Sequence, residues 1–223
     1  MTRIYILEGN LAAGKTTLLR NLALNSRLEK WEPQILWAKE PVQAFTSHPK
    51  LPAETNPLEE FYRGSLSALG FQVHASHCLL QRDKNMRELL LSPEPDQPEY
   101  DILVMERVMA SAHAFNSVLA EAGRLTTLEK AICCAQVETL QAIKPSEATL
   151  IYLDIDPSLA LERIRQRGRT GESEVTLDYL NRLHEAMVSN FSLYRAVHRV
   201  TVGPSTTPSD VARLVGRIVR GLN

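Results

Sequence analysis

The stretch Gly9-Asn10-Leu11-Ala12-Ala13-Gly14-Lys15-Thr16, directly after the apolar run Ile4-Tyr5-Ile6-Leu7, constrains this chain more than any other. It fits the pattern G-x-x-x-x-G-K-[ST], which has mechanical meaning where a strand runs into a helix. Residues 3–8 read as a buried strand. Residues from Thr16 to about Ser26 read as a helix with Leu18, Leu19 and Leu22 on one face. Gly9 and Gly14 permit backbone conformations that strain other residues, so successive N–H groups converge on phosphate oxygens. The positive end of the helix points at the same spot. In that arrangement Lys15 reaches the β- and γ-phosphates, the Thr16 hydroxyl holds Mg²⁺, and Thr17 follows in the first helical turn. The full pattern in this context predicts binding of a nucleoside triphosphate and outweighs a chance Gly/Ala-rich turn.

A chain of 223 residues suits one α/β domain, and its formal charge of −1 gives no sign of bulk nucleic-acid or membrane-surface binding. Any basic cluster must then be local and serve a small anionic ligand. Cys78, Cys133 and Cys134 are too few and too scattered for a disulfide framework or a zinc site, and read as reduced thiols of a cytoplasmic protein. No apolar run approaches the length of a membrane span. A strand beginning by residue 3 leaves no room for an uncleaved leader.

Further along, Ile35-Leu36-Trp37-Ala38 reads as a second strand closing at Glu40, because Pro41 disfavours helix there and stops pairing. Proline-bearing loops are expected over 48–57 and 92–100. Between them, 58–91 carries apolar residues at helical spacing, with Gly64 and Gly70 as breaks. Ile102-Leu103-Val104-Met105 is a third strand ending at Glu106-Arg107. Helices are expected over 109–122 and 127–143, the second started by Thr126 or Thr127. A fourth strand over 149–155 opens at Asp156-Pro157 into a helix. Another helix is expected over 176–194, a fifth strand over 198–202 and a last helix from Pro208. Strands separated by helices predict a three-layer α/β fold of the P-loop NTPase type, a five-stranded parallel sheet covered on both faces, in one domain spanning 1–223. Ligands of such sheets bind at the carboxyl ends of the strands, where Glu40, Glu106 and Arg107 stand beside the loop at Gly9.

Phosphoryl transfer needs positioning, charge neutralisation and a group that takes the acceptor's proton. Glu40 is the candidate base. Alternation along the third strand aims one of Glu106 and Arg107 at the phosphate loop and the other at the acceptor. Arg107 suits the acceptor oxygen or the base carboxylate, and Glu106 suits Mg²⁺. The segment Glu162-Arg163-Ile164-Arg165-Gln166-Arg167-Gly168-Arg169 gathers positive charges that repel unless an anion compensates. With Gly168 and Gly171 beside it, it reads as a lid over about 163–173 that closes on the transferring phosphate. By composition alone Phe61, Tyr62, Phe71 and Gln72 are ordinary helix residues, and His74 and His77 accompany no metal-binding pattern.

Taken together, these motifs resemble the deoxynucleoside kinase family, which contains deoxycytidine, deoxyguanosine, mitochondrial thymidine and insect multisubstrate kinases. Glu8-Gly9-Asn10 leads into Gly14-Lys15-Thr16-Thr17. Glu40-Pro41-Val42, Phe71-Gln72, Glu106-Arg107, the arginine-rich segment, Glu172-Ser173 and Tyr179-Leu180 then come in family order. The resemblance implies ATP- and Mg²⁺-dependent phosphorylation of a deoxynucleoside 5′-hydroxyl, usually by a homodimer. It matches Glu40 to the general base, Arg107 to the arginine beside the 5′-oxygen and Glu106 to the magnesium-associated acid. Tyr62 and Glu172 match groups that hold the 3′-hydroxyl, Arg165, Arg167 and Arg169 lie in the lid, and Gln72 matches the amide that reads the base. A primary amide offers a donor and an acceptor, so flipping it pairs with thymine or cytosine.

Departures from the family pattern bear on specificity. Deoxycytidine-preferring members carry an arginine where this chain has Leu79 and an aspartate where it has Ala112. The uncharged pocket leaves room for the thymine methyl, so thymidine is an expected substrate. Phe45 stands where a tryptophan is usual, and Asn116 where a second stacking aromatic is, with Phe115 one position off. Gly171 replaces an acid beside Glu172, which is expected to loosen the lid. The small size and divergent pocket suit a viral member. Asp154-Ile155-Asp156-Pro157 through Arg169 also resembles thymidylate kinases, but Val42-Gln43 replaces their glycine pair, and Arg82 is the arginine nearest the helix face that would hold the acceptor's phosphate. A non-catalytic nucleotide-binding module is the remaining alternative, set against the joint presence of Lys15, Thr16, Glu40, Arg107 and the lid.

Overall fold

The computed structural model describes residues 2–47, 51–52, 54–91, 99–169 and 171–222. Strands β1 (Arg3–Gly9), β3 (Ile102–Glu106) and β4 (Ala148–Ile155) form the middle of the sheet, and nearly every side chain in them is buried. β2 (Ile35–Ala38) and β5 (Ala196–Val202) lie at the edges, giving a parallel sheet in the order β2-β3-β1-β4-β5. Both faces of the central strands are apolar because helices cover both. Ile4, Ile6, Leu103 and Met105 face one cluster, and Tyr5, Leu7, Ile102 and Val104 the other.

One layer consists of α1 (Lys15–Leu28), α7 (Pro157–Arg167) and α9 (Pro208–Arg220). The opposite layer contains α4 (Ala68–Leu91), α5 (Ala112–Glu121), α6 (Thr127–Leu140) and α8 (Leu177–Ser189). Two short helices, α2 (Val42–Thr46) and α3 (Pro57–Arg63), bridge β2 to α4. Local chemistry sets several boundaries. Thr126 and Glu129 form a reciprocal capping box at the start of α6. Asp156 caps α7 with Pro157 in its first turn, and Thr207 and Asp210 cap α9.

Three expectations are corrected. β2 closes at Ala38, not Glu40, because Lys39 and Glu40 turn toward the end of β3, where the Glu40 N–H meets the Glu106 carboxylate at 3.4 Å. Gly64 does end a helix, in the left-handed conformation, but Gly70 does not. The Ser67 hydroxyl accepts the Gly70 N–H at 3.0 Å, which places Gly70 in the first turn of α4. The helix expected over 176–194 is α-helical only through Ser189 and tightens to a 3₁₀ turn over Asn190–Leu193. Of the loops expected over 48–57 and 92–100, residues 48–50, 53 and 92–98 lie outside the described residues; 51–52, 54–56 and 99–100 belong to no helix or strand, and Pro57 already opens α3.

Candidate active site

β1 feeds the phosphate loop at the centre of the sheet, beside the carboxyl ends of β3 and β4. Gly9 is required there because a Cβ would lie 2.6 Å from the Leu153 carbonyl oxygen. Gly14, at φ +96°, starts α1 in a conformation that favours glycine. Ala12 is also left-handed, at φ +56°. Leu11, Ala12, Ala13, Gly14, Lys15, Thr16 and Thr17 line a cleft of about 460 Å³. Gly9 and Asn10 do not line it. Asn10 is fully buried, and its amide donates to the Leu180 carbonyl of α8 at 2.8 Å while its side-chain oxygen accepts the Leu11 N–H at 2.9 Å.

The Lys15 ammonium is held inside the loop by the carbonyls of Gly9, at 2.8 Å, and Asn10, at 2.9 Å. Burial, and then the nearby Arg107 cation, bring its pKa down to about 8 against the opposing pull of Glu8, Glu40 and Glu106. Next to it the Thr16 hydroxyl donates to the buried Glu106 carboxylate at 2.7 Å. Glu106 thus faces the loop.

Arg107 sits at φ +57°, uncommon for a residue with a side chain. Its buried guanidinium lies 3.3 Å from the Glu40 carboxylate as an ion pair without aligned hydrogen-bond geometry, and donates to the Gly9 carbonyl at 3.4 Å. The ring of Phe115 lies under it at 4.7 Å. Burial works against the Arg107 charge, yet Glu40, Glu8 and Glu106 outweigh it and raise its pKa.

A second cavity of about 120 Å³ adjoins the first and is lined by Phe45, Tyr62, Phe71, Gln72, Leu79, Ala112 and Phe115 among others. Phe71 stacks on Phe61 at 4.5 Å, which fixes one wall. Glu40, Arg107, Arg169 and Glu172 line both cavities and so mark their junction. Glu172 is 4% exposed and accepts hydrogen bonds from Arg167, at 2.7–3.2 Å, and from Arg169, at 3.3 Å. Burial raises the pKa of Tyr62 further than the adjacent arginines lower it.

The structure does not bring Arg165 to the cleft; it is exposed on α7, and Arg163 lines the cleft in its place. Residues four apart share a helical face, so Arg163 goes with Arg167, while Arg165 points away. Asn116 is buried with neither amide atom partnered and lines neither cavity, whereas Phe115 does line the second. Sequence pattern gives no hint of what Arg82 and Asp83 do on α4. Arg82 donates to three strand-end carbonyls and to Asp83, which has no exposed surface. Burial raises the Asp83 pKa against the pull of Arg82. An aspartate inside an otherwise apolar helical stripe was the available signal.

The model of the family described as deoxynucleoside kinase matches residues 5–207. The chain is 28% identical to the thymidine kinase of Ictalurid herpesvirus 1 over 91% of its own length and 80% of that protein's. It is 30% identical to deoxycytidine kinase 2 of Gallus gallus, over 80% and 69% of the two chains. The fold is similar to a solved deoxyadenosine kinase from M. mycoides, with a TM-score of 0.70, 17% identity, and coverage of 98% of this chain and 100% of that one. The phosphate loop, Glu40, Arg107 and the arginines of α7 share one cleft, and the family match covers nearly the whole sequence: the chain belongs to the deoxynucleoside kinase family.

Proposed function

We propose that this chain transfers the γ-phosphate of ATP to the 5′-hydroxyl of deoxynucleosides, pyrimidine deoxynucleosides including thymidine among them, giving monophosphates for salvage in the cytoplasm. The observation that carries this is the position of Glu40 and Arg107 at the junction of the two cavities. A nucleoside in the aromatic cavity presents its 5′-oxygen at that junction, and the triphosphate on the loop presents its γ-phosphorus from the other side. Glu40 accepts the hydroxyl proton as the oxygen attacks, and Arg107 holds that oxygen while remaining charged.

Lys15 turns from the loop carbonyls to the phosphate oxygens, and Arg163, Arg167 and Arg169 face the same cleft to stabilise the charge of the transferring group. The Thr16 hydroxyl and the Glu106 carboxylate are hard oxygen donors 2.7 Å apart and fit Mg²⁺, which when bound neutralises phosphate charge. In the second cavity Gln72 reads the base edge, Phe45 and Phe71 flank it, and Tyr62 with Glu172 holds the 3′-hydroxyl. These parts act as one domain over 1–223 with its lid at about 163–173.

A thymidylate acceptor needs a cation on α4 for its phosphate, and the Arg82 guanidinium is already committed to backbone carbonyls and Asp83. That favours the nucleoside. No helix among the described residues is long and apolar enough to cross a membrane, and the three cysteines are free thiols, which supports a reducing compartment. Exposed Leu128, Ile132 and Leu140 on α6 support a homodimer.

The test is Glu40→Gln, assayed with labelled ATP against thymidine, the other deoxynucleosides and dTMP. Nucleoside binding should persist while turnover falls about 10²–10⁴-fold. Near-normal turnover would overturn the assignment of the base, and product from dTMP alone would overturn the choice of acceptor.

A further inference from the structure

Arg82 lies on α4 about three turns beyond Gln72 and lines neither cavity, yet its guanidinium touches the backbone next to Glu40 and at Glu106 and Arg107. Nη1 donates to the carbonyls of Lys39, at 2.9 Å, and Glu106, at 2.7 Å, and Nη2 donates to that of Arg107 at 2.6 Å. Nε and Nη2 also donate to one Asp83 oxygen, at 2.9 and 2.7 Å. The other Asp83 oxygen accepts the Met109 N–H at 3.0 Å, just past the turn after β3. These contacts use all five N–H donors of the guanidinium. Lys39 precedes the candidate base, and Glu106 and Arg107 are the residues proposed above to hold magnesium and the acceptor oxygen.

β2 and β3 pair with each other only as far as Ala38 and Met105, so no ladder bond between them holds the residues beyond. Arg107 moreover keeps φ +57°, a conformation that persists only where surrounding contacts over-determine it. The Arg107 N–H bond to the Leu7 carbonyl, at 3.1 Å, is one of those contacts, and the guanidinium of Arg82 on the Arg107 carbonyl is another. Were the pair merely a buried ion bridge, Arg82 would have no reason to direct three donors at carbonyls beyond two different strands.

We propose that Arg82, oriented by Asp83, is a positioning residue for phosphoryl transfer: it pins the ends of β2 and β3 so that Glu40 and Arg107 meet across the acceptor oxygen. This deepens the reading of Glu40 as base and rests on it. A lysine at this position keeps the charge beside Asp83 but offers three donors from one point, so it cannot span the carbonyls of both strands.

The experiment is Arg82→Lys in the full chain, alone and in the Glu40→Gln background. With Glu40 present, kcat should fall about ten- to a hundredfold with KM for ATP within about twofold, since misplacing the base acts on the chemical step. With Glu40→Gln, the same substitution should change kcat by less than about threefold, because its effect passes through the missing carboxylate. Equal losses in both backgrounds, or no loss, would overturn the proposal. A crystal structure of the variant gives a readout independent of turnover. The 3.3 Å Arg107–Glu40 approach should open and Arg107 should leave its left-handed conformation; retention of both would overturn the proposal. If Arg82→Lys does not fold, Asp83→Asn, whose single acceptor oxygen can serve Met109 or Arg82 but not both, should lower kcat about threefold or more, and an unchanged kcat would overturn the proposal. Silence of the unaltered protein on every nucleoside would instead fail the kinase reading, while the structural readout would still judge the clamp.

Discussion

Leu79 and Ala112 are each 5% exposed and line the second cavity from two different helices. Neither side chain offers a hydrogen bond, which leaves the Gln72 amide as the proposed reader of the base edge, able to pair with thymine or cytosine according to its flip. Introducing Leu79→Arg together with Ala112→Asp adds a donor fork and a carboxylate to compensate it; the arginine alone would be a buried unpaired charge. The double variant should raise the deoxycytidine-to-thymidine ratio of kcat/KM by about tenfold or more, measured with both nucleosides in competition. An unchanged ratio would show that these positions do not face the base. At this scale the gathering of Lys15, Thr16, Glu40, Glu106 and Arg107 around one candidate cleft was legible in sequence, because they fall at strand ends and in a motif whose spacing has geometric meaning. Arg82 was not, since its role depends on carbonyls contributed by residues 39, 106 and 107, and no local pattern records a contact of that range.

The lid belongs to the scale of elements. Replacement of an acid by Gly171 read as a source of looseness, but the space a side chain would take is filled by Tyr62, whose Cδ2 would lie 2.8 Å from an added Cβ. Gly171 is also left-handed at φ +84°. Gly171→Ala therefore meets both a steric and a conformational penalty of about 1 kcal/mol or more and must displace the Tyr62 ring. The nucleoside KM should rise about tenfold with little change in the KM for ATP, checked by varying each substrate in turn. A uniform rise in both would mean that the substitution perturbs the whole lid. The phase of α7 likewise decides which arginines serve the cleft. A charge run shows how many cations are near, but only the buried side of the helix, set by Ala160 and Ile164, shows which face remains for the ligand.

At the scale of the whole molecule, the two cavities lie where the loop after β1, the end of β3 and helices α1, α4, α5 and α7 converge, so ligands bound there as proposed would tie together elements distant in sequence. A ligand that binds only the folded state at about 100 times its Kd adds about 2.7 kcal/mol. For a chain of this length that is a rise in Tm of about 5–10 °C. Thermal unfolding with and without Mg²⁺-ATP should show such a rise, and Lys15→Ala should remove most of it; an equal rise in the variant would remove the phosphate loop from the binding site. The parallel sheet, its two-faced core and the loop at its centre were legible in sequence because burial on both faces leaves continuous apolar runs and because glycine, proline and capping residues act locally. What only the tertiary structure decided is which partner each charge meets: Arg107 with Glu40, Arg167 with Glu172, Arg82 with the ends of two strands. Hydrophobic patterning repeats along the chain and can be read from it. An ion pair or a guanidinium clamp joins residues tens of positions apart, and its geometry exists only once the sheet has brought the strand ends together.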